Sequence, residues 1–342
     1  MIKFVIPFIV SFFLCALFIV IAIRLAAKFN WKSRQSERHI HNVKGKIFRV
    51  GGLAMILAFN LSVFLDRNLF LNPELYGLMA ASLFLMLVGV WDDLREMSWQ
   101  TQLFFQIAAV MIVFIIGVRI YYVTNPLSGG IINLDSGLGT LFSAIIMIAW
   151  ATLIMNSMNW LDGIDGLSGG ITLIGSLAIF FLSLKPEVNQ PPIAILAMIL
   201  AGSTLGFLVF NFNPSQVLAG TSGSMFMGFL LAILAVFSGT KIATTLLVMA
   251  LPVIDFIWVI GERIKNKKSV FKPDKNHLHY KLLELGWSQR KINFLFYLIT
   301  MVIAAIALNT RFIGKSVTLL LTGAIMAVAL LAINNKIKKQ LI

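Results

Sequence analysis

The sequence predicts an all-α polytopic membrane protein, and three observations carry that prediction. Of 342 residues 59% are apolar and only 12% are charged, with a mean hydropathy of +0.90; a soluble chain of this length needs a far more polar surface. The apolar residues gather into about eleven runs able to form membrane-crossing helices, near 4–23, 50–65, 75–90, 101–117, 138–155, 169–184, 192–209, 223–238, 241–261, 291–308 and 316–333. The basic residues divide unevenly between alternate loops, 21 of the 28 Lys and Arg on one side and 7 on the other. The rich side is cytoplasmic by the positive-inside rule, so the N-terminus is outside and the C-terminus inside.

Each element follows in order. The first run is too long for a signal-peptide core and no small-residue cleavage site follows it, so it is a retained helix. A basic loop leads to the second run, which opens on "RVGGLA". The third run ends in "GVWDDLREMS" (89–98). Beyond the fourth lies the turn-rich "YYVTNPLSGGIINLDSG" (121–137), whose alternation predicts a small outer hairpin. The fifth ends in "MNSMNWLDGIDGLSGG" (155–170) and the seventh in "FNFNPSQVLAGTSGS" (210–224). The ninth carries Asp255 nearly two turns inside and leads to "KPDKNHLHYKLLELGWS" (272–288). No internal repeat, low-complexity tract or soluble domain interrupts the series, so residues 1–342 read as one membrane domain. All four polar clusters fall on the Lys/Arg-rich face, which predicts an active site at the cytoplasmic surface.

Charge and cysteine content narrow the classes. The net charge of +14 suits loops facing anionic lipid better than nucleic acid. The single cysteine, Cys15, lies in the first run and cannot pair within the chain.

The polar clusters suggest chemistry. Asp92 and Asp93 are adjacent, so on a helix they point about 100° apart and reach one site only at a helix end. Paired carboxylates repel, so at least one wants a proton or a cation; the alternative is a solvated cap beside Arg95. Asn156 and Asn159 share a helix face, and Asp162 follows three residues later in a Gly-rich turn. Such oxygen ligands suit Mg²⁺, with Mn²⁺ as a substitute, since Mg²⁺ takes one or two carboxylates and completes its shell with water and phosphate. The alternative is a plain turn using Asn, Asp and Gly for its geometry. His277 and His279 face one way only if their segment is extended. Zinc lacks cysteine partners, and His39 and His41 lie in a distant loop. With Lys272, the histidine loop fits an anionic ligand such as a pyrophosphate, or else anionic lipid. Asp255 is an intramembrane carboxylate with Arg263 as a candidate partner, in either a functional or a structural role.

Taken together, "WDDL", "NSMNWLDGIDGLSGG", "NFNP…GTSGS", "PVIDFIWVI" and "DKNHLHYKLLELG" resemble the polyprenyl-phosphate N-acetylhexosamine-1-phosphate transferases, over about Arg38 to Ser288. The segments around Asp255 and the histidines resemble the GlcNAc-type branch more than the MurNAc-pentapeptide branch. The resemblance implies a phosphotransferase of the cytoplasmic membrane. It would pass an N-acetylhexosamine 1-phosphate from a UDP-sugar to a polyprenyl phosphate, releasing UMP with the help of Mg²⁺. It further implies that Asp92 and Asp93 bind or deprotonate the lipid phosphate, and that Asn159 and Asp162 lie near metal and nucleotide. His277 and His279 would lie near the diphosphate, and Arg49 would be the basic residue at the start of the second helix; Asn156, Asp255 and Lys272 are expected beside the substrates from their own chemistry and place in the chain. Assembly as a homodimer is compatible with it.

Two departures stand out. Most members carry a metal-binding Asp at the position of Thr221, and a neutral hydroxyl is a poorer ligand for a hard cation. The histidine motif usually closes with a third His, where this chain has Tyr280. A catalytically silent protein of the same fold is therefore a second reading. An anionic-solute transporter is a third, disfavoured because the polar groups crowd one face instead of the midplane.

Overall fold

A computed structural model of the chain describes residues 1–28, 48–124, 130–237, 242–269 and 276–340. In chain order the elements are α1 (Ile2–Lys28), α2 (Gly51–Leu65), α3 (Pro73–Leu94), α4 (Trp99–Ile116), β1 (Tyr122–Thr124), β2 (Ile131–Asn133), α5 (Leu138–Leu161), α6 (Leu167–Ser183) and α7 (Pro191–Asn211). Then come α8 (Gly220–Phe237), α9 (Ile242–Val248), α10 (Ala250–Lys265), α11 (Leu278–Glu284), α12 (Gln289–Asn309) and α13 (Phe312–Gln340). The predicted hairpin is present, antiparallel, with Val123 opposite Ile132.

The apolar runs all appear as helices, with two differences. The ninth run is not one helix: α9 and α10 meet at a 76° bend. Pro252 is the physical reason. It has no N–H for the carbonyl four residues earlier and its ring clashes there, so a continuous helix is broken. The chain restarts at Ala250, which puts Pro252 in a first turn where no donor is needed. The second difference is α11, a short helix where an irregular histidine loop was expected. Among the described residues eight helices can cross a membrane by length and composition, or nine if α9 and α10 form one bent span. α2 and α6 are apolar but have only 15 and 17 residues, against the roughly 20 that a full crossing takes. The chain is an all-α polytopic membrane protein; a count of eleven crossings requires both short helices to be crossings as well.

The central element is α8. Every residue from Gly220 to Val236 is buried, as expected of a helix that is apolar all round. It packs against α2, α3, α5 and α6. The periphery is the reverse: α13 exposes Leu320, Leu321, Ile325 and Val328, an apolar face suited to lipid. The N-terminus of α8 therefore lies where several helices converge, and it carries Thr221.

Candidate active site

Backbone pairing brings the first two polar clusters together. Phe48 forms a parallel bridge with Val217, Leu218 N donates to Phe48 O, and the amides of Gly51 and Gly52 donate to Leu218 O and Ala219 O at 2.9 and 3.0 Å. This short ladder carries Arg49 to the start of α8. α3 arrives from the other side. Gly89 makes that approach possible, because a Cβ there would run into the backbone of Ser222.

The two aspartates have different environments. Asp92 is buried and its carboxylate is fully engaged: Oδ1 accepts from Met97 N at 2.8 Å and Gln102 Nε2 at 2.9 Å, and Oδ2 accepts from Thr221 Oγ1 at 2.6 Å. It closes the α3–α4 turn from inside the protein, so the solvated cap is ruled out. Asp93 Oδ1 accepts from Arg49 Nη1 at 3.2 Å and from Thr221 N at 3.1 Å. Its Oδ2 is buried and has no hydrogen-bond partner among the described residues. Thr221 thus touches both carboxylates, one through its hydroxyl and one through its amide.

Gly220 makes this arrangement possible. Its φ is +68°, and a Cβ would collide with Asp93 Oδ2. Gly220→Ala should strain the backbone by about 1–2 kcal/mol and push Asp93 aside. An expected drop in turnover of about 10²-fold follows from a misplacement near 1 Å. Steady-state kinetics with a thermal melt as control would test it; unchanged turnover would rule out the placement of Asp93.

The end of α5 forms the second part. Ser224 Oγ donates to Asn159 Oδ1 at 3.0 Å, and Ser168 Oγ donates to Asp162 Oδ1 at 2.5 Å. Asn159 is therefore one hydrogen bond from the turn of α8 that holds Thr221. Asn156, although on the same face, exchanges hydrogen bonds with Gln106 on α4 and donates to Thr152 O. Asp165, in the same Gly-rich turn, is structural. Its carboxylate accepts from Asn213 Nδ2 at 3.0 Å, Ser215 N at 3.2 Å and Ser215 Oγ at 2.9 Å. Its amide donates to Gln289 Oε1, and its carbonyl accepts from Asn293 Nδ2 at 2.7 Å. Tyr297 Oη completes the clamp on Gly166 O at 2.6 Å.

The histidines form the third part. His277 is the N-cap of α11, in extended geometry, and His279 is already helical. The expectation of an extended segment is thus met by His277 alone, yet the two rings stack at 5.7 Å and 10°. His277 Nδ1 lies 2.7 Å from Asp255 Oδ2, and Leu278 N donates to Asp255 Oδ1 at 2.9 Å. A carboxylate only accepts, so Nδ1 carries the proton. Asp255 therefore pairs with His277 and caps α11, in place of the expected pairing with Arg263. The Arg263 guanidinium instead stacks on Trp160 at 5.0 Å. Tyr280 Oη is 3.5 Å from Gly163 O, and a Cβ on Gly163 would collide with Tyr280 and His279. The histidine helix therefore lies directly on the Asp162–Gly163 turn. Lys272 lies outside the described residues.

Several functional neighbours escaped the reading of the sequence. Gln102 and Gln106 on α4, and Gln289, Asn293 and Tyr297 on α12, recur every fourth residue on one helix face. Polar stripes of that kind in apolar helices mark the surfaces that hold the site. Trp160 was also missed. Its ring contacts Arg263, Phe256 and His277.

No three His, Cys, Asp or Glu side chains converge as a metal site among the described residues. One atom is of the kind a hard cation takes: Asp93 Oδ2, a buried carboxylate oxygen without a hydrogen-bond partner among the described residues.

Similarity to known proteins extends along most of the chain. The model for "Glycosyl transferase family 4" matches residues 75–239. The chain is 32% identical to the decaprenyl-phosphate N-acetylglucosaminephosphotransferase of Mycobacterium leprae, over 93% of this chain and 84% of the relative. It is 28% identical to the probable undecaprenyl-phosphate N-acetylglucosaminyl 1-phosphate transferase of Bacillus subtilis, over 92% and 88%. It is 29% identical to the putative UDP-N-acetylglucosamine–dolichyl-phosphate N-acetylglucosaminephosphotransferase of Sulfolobus acidocaldarius, over 68% and 70%.

Proposed function

This chain belongs to glycosyl transferase family 4, among the polyprenyl-phosphate N-acetylglucosamine-1-phosphate transferases, and on that premise we propose how its residues carry out the transfer. The protein moves N-acetylglucosamine 1-phosphate from UDP-GlcNAc to a polyprenyl phosphate and releases UMP, the opening step of a cell-surface glycan. A lipid phosphate oxygen forms a bond to the β-phosphorus, and the bond from that phosphorus to the bridging oxygen of UMP breaks.

The observation that carries the residue assignment is the asymmetry of the aspartate pair. Asp93 alone keeps a carboxylate oxygen in reserve, Oδ2, so it is the group that takes the lipid phosphate proton or meets the cation. Asp92 is a positioning residue, because all its hydrogen bonds go to the protein groups that shape the turn. Arg49 pairs with Asp93 and supplies positive charge for the incoming phosphate. Asn159 and Asp162 serve the diphosphate side. His277, with its tautomer set by Asp255, and His279 present imidazoles to the same diphosphate. Asn156 positions α5 through Gln106. Mg²⁺, or Mn²⁺ in its place, would be met by Asp93 Oδ2, with Asn159 and Asp162 on the diphosphate side completing its surroundings only once the diphosphate is there, and it would supply charge neutralisation on that diphosphate.

The division of basic residues supports eleven crossings, with the N-terminus outside, the C-terminus inside and this site at the cytoplasmic face of a bacterial inner membrane. Lipid and nucleotide can meet only at such a surface.

Purified protein given UDP-GlcNAc, undecaprenyl phosphate and Mg²⁺ is expected to release UMP, and EDTA is expected to stop it. UMP release that continues in EDTA removes the cation from the scheme; no release with any UDP-sugar refutes the reaction.

A further inference from the structure

The hydrogen bonds around Thr221 bear on how this chain acquires its cation, an inference that rests on the reaction given above. Most of the side-chain oxygens around Thr221 already accept a hydrogen bond from the protein. Asp92 accepts three hydrogen bonds, one of them from the Thr221 hydroxyl. Asp93 Oδ1 accepts two, from Arg49 and from the Thr221 amide. Asn159 Oδ1 and Asp162 Oδ1 accept from Ser224 and Ser168. Among the described residues, Asp93 Oδ2 is the acidic-pair oxygen that is buried and unpartnered. The Arg49 guanidinium sits 3.2 Å from the other oxygen of the same carboxylate, and a second cation arriving there meets its repulsion.

We infer that this chain does not hold a divalent cation by itself and takes one up only together with the diphosphate of the UDP-sugar. Cation affinity in oxygen sites follows the number of charged ligands and the rigidity of the site. An acidic pair with one unpartnered carboxylate oxygen, beside an arginine, is a weak site. The two phosphates of the nucleotide sugar supply the missing anionic oxygens. Where the family resemblance implies a third carboxylate, this chain has a hydroxyl that donates to Asp92, so it locks the acidic pair where an aspartate would add to the metal's ligands.

The coupling is reciprocal: the factor by which UDP-GlcNAc raises cation affinity is the factor by which the cation raises UDP-GlcNAc affinity. Mn²⁺ reports both by electron paramagnetic resonance, since binding removes the signal of the free ion. Detergent-purified protein is titrated with Mn²⁺ alone, then with UDP-GlcNAc at a concentration that leaves the Mn²⁺ signal unchanged without protein. The wild type is expected to bind Mn²⁺ about 10–100-fold more tightly with the nucleotide sugar present. Thr221→Asp is expected to bind Mn²⁺ without nucleotide and to lose most of that coupling.

Equal Mn²⁺ affinity with and without UDP-GlcNAc in the wild type overturns the inference, as does the lack of any Mn²⁺ binding under both conditions. If Thr221→Asp fails to fold, UDP-GlcNAc binding to the wild type with and without Mn²⁺ decides the same question: affinity indifferent to Mn²⁺ overturns the coupling. Because these are binding measurements, they answer separately from UMP release. Coupled binding without UMP release would refute the reaction and leave the coupling intact.

Discussion

Asp93→Asn is expected to lower UMP release about 10³-fold, the scale on which losing a buried group that acts on developing charge is felt. The substitution is nearly isosteric and the amide oxygen can still accept from Thr221 N. The thermal melt should therefore move little while kcat collapses. Asp92→Asn is the control. Its amide oxygen can keep the bonds from Met97 and Gln102, and the amide nitrogen can donate to a reoriented Thr221 hydroxyl. The expected loss is only about tenfold, consistent with a displaced neighbour instead of a missing group. Equal losses at the two positions would remove the division of labour between them. A larger loss at Asp92 would reverse it.

Asp165→Ala is expected to act on stability instead of on chemistry. Its carboxylate is the shared acceptor for Asn213 Nδ2, which is half-buried, and for the buried amide and hydroxyl of Ser215. Truncation leaves the Ser215 amide and hydroxyl without their acceptor, while Asn213 Nδ2 keeps its bond to Gln289 Oε1, at a cost of about 2 kcal/mol or more. The midpoint of thermal unfolding in detergent should fall by several degrees, and what activity remains should keep the wild-type KM for UDP-GlcNAc. Asp165→Asn should recover part of the lost stability, because its oxygen can still accept. A wild-type melt for Asp165→Ala would show that the turn does not depend on this clamp.

The two predictions separate residues that looked alike in the sequence. Asp92, Asp93, Asp162 and Asp165 all sit in short polar stretches at helix ends, and each could have been a ligand or a cap. What distinguishes them is which donors other segments bring. Met97 and Gln102 are within ten positions of Asp92, but Thr221 is 129 away. The partners of Asp165 lie 48 to 128 residues further on. No local pattern encodes such distances. The same holds for Asp255. Arg263 was the natural candidate on the same helix, yet it lies eight residues on, about 12 Å along the axis, and His277 with the first amide of α11 took the place.

Other features were legible because their physics is local. Long apolar runs, the hairpin turn and the Gly-rich stretches depend on neighbours within a few residues. Pro252 carried a local signal that went unused, since 241–261 was expected as one helix: its missing N–H announces the break between α9 and α10. The fourfold spacing of Gln289, Asn293 and Tyr297 was equally visible, although which turn those side chains would grip was not.

The sequence by itself determined that this is a helical membrane protein, roughly where its helices run, and which polar stretches interrupt them, since hydropathy and residue type are properties of the chain. Only the tertiary structure decided that Asp93 keeps an oxygen in reserve while Asp92 is spent on the scaffold, that Asp255 serves His277, and that Thr221 ties the acidic pair together. Hydrogen bonds form between atoms a few ångströms apart, and here those atoms come from segments separated by up to 131 residues, so their pairing exists only once the helices have packed.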